Sequence, residues 1–277
     1  MVSSVHTNAS ALTALQNLNK TNDELFQVQN RINTGLKIAN AQDNAAVWSI
    51  AQGQRSDIGA LNSVKMSLDR AKSISDVALT AGQSISDLLI QLKEKVVTAM
   101  DPSLDAASRT AVNSDYKAIL RQITQVVQNS AFDGANMLDN SIAGGIKFLA
   151  NADANAFITL SSKNMSLGGG IVTMTAASSI GTVTLATAIM AQLNTSLTNV
   201  NQALGDLGSQ AKQLENHNKF VSKLSDVLTT GVGNLVDADL AKESARLQAL
   251  QVQQQLGAQA LSIANQAPQV ILRLFQG

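Results

Sequence analysis

The chain has 277 residues, no cysteine, only 2 prolines, and 20 Lys+Arg against 20 Asp+Glu. The lack of cysteine excludes a disulfide framework, a thiolate nucleophile and a thiolate metal site, and zero net charge argues against nucleic acid or an anionic membrane as a main partner. Charged residues make up 14%, against roughly 25% in an average soluble domain, and this composition suits long, self-associating helices packed through small and aliphatic side chains.

The opening MVSSVHTNAS has no basic region and no continuous apolar core, so it does not read as a secretory signal peptide. From Ala11 a seam repeats at steps of three and four: Ala11, Ala14, Leu18, Thr21, Leu25, Val28 and Ile32. That spacing predicts a heptad-like seam on an uncapped N-terminal helix, stopped where Gly35 takes the left-handed C′ conformation. Asp43 and Asn44 are N-cap candidates for a short helix over 45–54 that carries Trp48, the single Trp, read as a packing residue.

Between Leu61 and Ala99 the pattern is unusually regular. Leu61, Val64, Leu68, Ala71, Ser75, Ala78, Gly82, Ile85, Leu89, Leu92, Val96 and Ala99 keep the three/four step without a slip, predicting a helix of roughly 60 Å at about 1.5 Å per residue. Asp101-Pro102 ends it. A second helix over 106–129 shows Val112, Tyr116, Ile119, Ile123 and Val126 on one face, and the two form an antiparallel hairpin.

The character then changes. Phe132-Asp133-Gly134 reads as a turn, and 146–149 and 157–160 read as short strands around a polar Asn151–Asn155 turn. Gly168-Gly169-Gly170 lacks the Lys and Ser/Thr of a phosphate loop and reads as a flexible loop. Helical spacing resumes near Leu185 and continues to Leu228 with a stutter at Leu193–Leu197. Gly231 and Gly233 read as a joint, with Asp237 and Asp239 at the start of the last helix.

That last helix holds the feature around which the chain is organised. The run 247–272 has no charged residue, yet Gln and Asn interrupt it too often for a membrane span. Leu240, Leu247, Leu250, Gly257, Leu261, Ala264, Ile271 and Phe275 form one apolar stripe with an amide-rich back. Such a helix needs partner helices.

Nothing points to catalysis. The two histidines, His6 and His217, are far apart, and no paired carboxylates, nucleophile elbow or dinucleotide fingerprint accompany them. No cofactor or metal is expected, and His217 reads as a residue on a solvated helix face.

Two long motifs carry a family resemblance. Residues 31–46, Arg-Ile-Asn-Thr-Gly-Leu-Lys-Ile-Ala-Asn-Ala-Gln-Asp-Asn-Ala-Ala, resemble the N-terminal signature of bacterial flagellins, with Arg31, Gly35, Asp43 and Asn44 at motif positions. Residues 236–251, with Asp237 and Asp239, and Ala264-Asn265-Gln266 beyond, resemble the C-terminal signature, and Phe132-Asp-Gly-Ala-Asn-Met-Leu the turn after the second helix. The match covers about 1–140 and 180–277.

The resemblance implies a short flagellin without the large outer domains. The expected fold is mainly α, a long antiparallel helical rod or coiled-coil bundle with a small β-hairpin insert. It divides into terminal helices (1–40 and 235–277) forming an inner coiled-coil tube, a long-helix rod (41–140 and 181–234), and a surface insert (141–180). The polymerisation interface is expected at Leu18, Leu25, Val28, Ile32, Leu247, Leu250, Leu261, Ile271 and Phe275, with terminal segments that order only among neighbours.

Implied partners are further copies, alone or mixed with other flagellins, the flagellar export apparatus and chaperone, and hook-associated and cap proteins. Nucleic acid and membrane insertion are not expected. The implied location is the secreted, extracellular filament reached by type III export. Asn44 stands where the family has its second Asp. Leu89-Ile90-Gln91-Leu92-Lys93 stands where immune-stimulating flagellins carry Gln-Arg-x-Arg-Glu, which implies weak recognition by the Toll-like flagellin receptor. A hook–filament junction protein and, from another class, a secreted membrane-inserting helical protein are the alternatives.

Overall fold

A computed structural model describes residues 8–274, with side chains through Gln266. The order of elements is α1 (Ala9–Thr34), α2 (Ala45–Ala99), α3 (Ala106–Asn129), β1 (Ala131–Phe132), β2 (Ala135–Asn136), β3 (Ile146–Leu149), β4 (Phe157–Leu160), α4 (Val183–Val236) and α5 (Leu240–Leu274). The fold is mainly α, as expected. Two compact units are present, one formed by the residues up to Ser56 with those from Val227 onward, the other by Asp57–Asp226.

In the second unit, every position of the regular stripe from Leu61 to Ala99 is buried. Against it lie Tyr116, Ile119 and Ile123 of α3, and Ile189, Leu193, Val200, Leu207, Leu214 and Val221 of α4. Asn218 donates to Asp69 Oδ1 at 2.6 Å and Ser86 donates to Asn201 at 3.5 Å, so α2 and α4 run antiparallel. Gly82 permits close approach here, because a Cβ on it would lie 2.7 Å from Leu204 Cδ2.

The α2–α3 turn is closed by Arg109. Its guanidinium donates to the carbonyls of Ala99, Asp101 (2.9 Å) and Leu104 (3.1 Å), satisfying acceptors that the end of α2 leaves open. Hydrogen bonds from the Ser103 backbone N–H and then its side chain hold the Asp101 carboxyl below its usual range. Asp105 caps α3 through the Ser108 N–H, which lowers its pKa likewise. Tyr116 is fully buried with its hydroxyl 3.7 Å from Met174 Sδ, and burial pushes the phenol up to about 12.

Both short hairpins follow from their sequences. Asp133 (φ 50°) and Gly134 (φ 74°) form the two-residue left-handed turn that joins β1 to β2. In β3–β4, Ile146 pairs with Leu160 and Leu149 with Phe157. Phe148 and Leu160 face the core, while Lys147 and Phe157 face solvent.

Several expectations are corrected. The separate 45–54 helix is the start of α2, because Gly53 and Gly59, at about 1 kcal/mol each, do not break a helix whose flanks hold it. Likewise α4 runs through Gly231 and Gly233, and the joint lies at residues 237–239. The Gly168–Gly170 segment is an ordered turn, with Gly168 N–H donating to Val172 O (2.9 Å) and Gly169 N–H to Ser166 O (2.9 Å). Helix α1 is capped, since the Asn8 side chain accepts from Ala11 N–H at 3.1 Å. His217 is partly buried, its Nε2 2.7 Å from Ala150 O, because the β3–β4 turn reaches α4. His6 lies outside the described residues.

Candidate assembly interface

The two family-like motifs meet in the first unit. Helix α1 ends at Gly35 with φ 71°, and the chain turns so that Lys37 N–H (2.7 Å) and Ile38 N–H (3.2 Å) donate to Val236 O. Ala238 N–H returns a bond to Gly35 O at 2.9 Å, and Leu36 bridges Asp237. Ile38 is buried at 5% exposure. A Cβ on Gly233 would lie 2.7 Å from Asp237 Oδ2, so glycine lets this carboxylate fold back on the end of α4.

The acids and amides between the helices act on backbone. Asp43 Oδ2 accepts from Ala39 N–H (2.9 Å) and Asn40 N–H (3.2 Å), which makes it a clamp on the connector and not a helix cap. Asn44 takes the capping role for α2, accepting from Val47 N–H at 3.1 Å. Asp239 Oδ1 accepts from Ala241 and Lys242 N–H, both at 3.1 Å, and caps α5. Asn265 is exposed.

Beyond this junction α1 and α5 pair antiparallel. Arg31 meets Glu243 at 3.2 Å, Glu24 meets Arg246 at 3.4 Å, Gln254 donates to Asn22 at 2.8 Å, and Asn8 Nδ2 donates to Ala264 O at 2.7 Å. The sequence-predicted seam lines this contact. Val28 is 1% and Leu250 4% exposed, and Leu18, Leu25, Ile32, Leu247 and Leu261 are partly buried. Gly257 admits Leu18, whose Cδ1 would lie 3.3 Å from a Cβ there. Leu240 falls outside the seam at 49% exposure. The backbone at Ile271 is helical, and Phe275 lies outside the described residues.

Within the chain each terminal helix is therefore paired with the other. The sequence also describes the back of α5 as amide-rich, yet it carries Val252, Leu256 and Ile263, exposed at 54%, 57% and 69%. Their spacing of four and seven marks a second apolar stripe opposite the seam. On α1, Leu12, Leu15 and Phe26 (53%, 41% and 64% exposed) add a stripe beside its seam. The signal for these residues was present as helical spacing, hidden behind the stronger first stripe.

Two family models match the chain, the bacterial flagellin N-terminal helical region over residues 5–143 and the C-terminal helical region over residues 186–275. The chain belongs to the flagellin family. Flagellin FljJ of Caulobacter vibrioides is 53% identical over 280 aligned residues that cover all of both chains. Among solved structures, Bacillus cereus flagellin superposes at TM-score 0.50 with 17% identity, covering 56% of this flagellin and 88% of that chain. A Vibrio parahaemolyticus protein described as flagellar hook-associated superposes at TM-score 0.58 with 11% identity, covering 70% and 100%. At those identities the solved structures speak to the fold of the flagellin alone.

Proposed function

We infer that the chain is the structural subunit of a bacterial flagellar filament and works by self-assembly, with no catalytic role. The observation that carries this is the α1–α5 pair, closed on itself by one apolar seam and bearing further apolar stripes that no described residue covers. Water penalises that exposure by about 25 cal/mol for each Å². Neighbouring copies related by an operation that does not close produce a helical fibre. The paired terminal helices then form the inner layer of the filament.

Export through the flagellar type III apparatus with a chaperone, residence outside the cell, and contact with hook-associated and cap proteins follow from family membership as parts of this proposal. Among the described residues no helix is long and apolar enough to cross a membrane. Electron microscopy of purified protein before and after ammonium sulfate, which strengthens apolar burial, tests the reading. Long filaments are expected. A protein that stays monomeric or stops at short rings would overturn it in favour of a junction protein.

A further inference from the structure

A groove of about 890 Å³ runs along the Asp57–Asp226 unit between α2 and α3. Its apolar floor includes Val77, Ala81, Leu88 and Val126, and its rim carries Asp76 and Asp87. Both aspartates are exposed, and neither joins an ion pair among the described residues. No Lys, Arg or His is among the residues that line the groove.

The outward side of α4 in the same unit has the complementary character. Leu207, Leu214 and Val221 point inward, so Lys212 and Lys223 lie on the opposite side with Phe220 beside them, and all three are exposed. Among the described rings, Phe220, at 57% exposure, pairs only with His217, ring centroids 5.9 Å apart. Nearby Lys219 is already engaged with Glu215 at 2.5 Å, which lowers the Glu215 pKa together with Lys212 and Lys72.

The spacings agree. Eleven residues separate Asp76 from Asp87, and eleven separate Lys212 from Lys223. Eleven residues make three helical turns plus about 20°, so each pair shares a face about 16 Å apart. We propose that the α2–α3 groove of one copy receives the outward side of α4 of a neighbouring copy, with Asp76 against Lys223, Asp87 against Lys212 and Phe220 seated between them.

This rests on the chain being a filament subunit. Copies related by rotation and translation about one axis keep helices along that axis in a constant sense, so α4 of the neighbour meets α2 antiparallel, as it does within the chain. Pairing Asp76 with Lys223 then sets Phe220, three residues away, level with position 79, beside Thr80 and about 3 Å of axial rise from Ala81, small side chains of the groove that leave room for a ring. Within one chain Asp69 faces Asn218. The intermolecular register is shifted from that by about twelve residues, which predicts an axial offset of about 18 Å between the two copies.

The test is the concentration of monomer left in equilibrium with filaments at low salt, with circular dichroism melts to monitor folding. Reversing the groove (D76K/D87K) or the α4 side (K212E/K223E) should each raise that concentration about tenfold or more. Combining all four substitutions in one chain should bring it back toward wild type. Phe220→Ala should raise it severalfold. A wild-type chain that forms no filaments would sink the reading as a filament subunit. A wild type that polymerises while the reversals polymerise equally well, or a combined variant that stays impaired, would overturn the groove assignment alone.

Discussion

Replacing Val252, Leu256 and Ile263 together by alanine separates assembly from folding. The triple substitution removes roughly eight methyl or methylene carbons, worth about 0.8 kcal/mol each when fully buried. Because 54%, 57% and 69% of these side chains are exposed in the single chain, rather more than half of that value is still available to neighbours. Assembly should therefore lose about 4 kcal/mol per subunit, raising the concentration needed for filaments by a hundredfold or more. Alanine is the best helix former, and surface substitutions of this kind shift stability by within about 0.5 kcal/mol each. The melting curve of the monomer should barely move. The assay is residual monomer after polymerisation, beside thermal circular dichroism. Normal filaments from the triple variant at wild-type concentration would refute the assignment of this stripe to the interface.

Leu261→Asp acts differently, because Leu261 lies in the α1–α5 seam. A carboxylate there loses hydration without a partner, so helicity from α1 and α5 should fall and filaments should disappear, while the Asp57–Asp226 unit keeps its protection in hydrogen exchange. Asn44→Ala should cost about 1 kcal/mol by removing the cap of α2, measurable by denaturant unfolding, whereas Asn44→Asp should hold or gain a few tenths. Tyr116 is the single tyrosine, so ultraviolet titration reports it alone. Its phenol titrates near 10.0 when unfolded and about 12 when folded, so its contribution is complete below pH 10 and is lost as pH rises toward 12; Tyr116→Phe should blunt that alkaline loss. Purified monomer should activate the Toll-like flagellin receptor weakly. Leu89 and Leu92 are buried, and the remaining Ile90, Gln91 and Lys93 supply no arginine fork; strong activation would contradict this.

The long helices were legible for a local reason. Twelve core positions from Leu61 to Ala99 recur at three and four residues, and all twelve are buried, because helical geometry converts that spacing directly into one face. The 146–149 and 157–160 strands were legible through β-prone runs around a polar turn. Boundaries inside helices were not: Gly53, Gly59, Gly231 and Gly233 weaken a helix locally, and whether it breaks depends on what its flanks bury.

Sequence by itself determined the helical periodicity, the family motifs and the α1 and α5 seam, since each is set by residues close together along the chain or by one linear pattern. Only the tertiary structure decided that Lys37 and Ile38 bond to Val236 O, that Arg31 reaches Glu243, and that Arg109 closes the end of α2. It also decided which of two stripes on α5 faces its own chain and leaves Val252, Leu256 and Ile263 exposed. A linear pattern ranks faces by how apolar they are, but which face is covered depends on a partner more than two hundred residues away, and only folding brings that partner into contact.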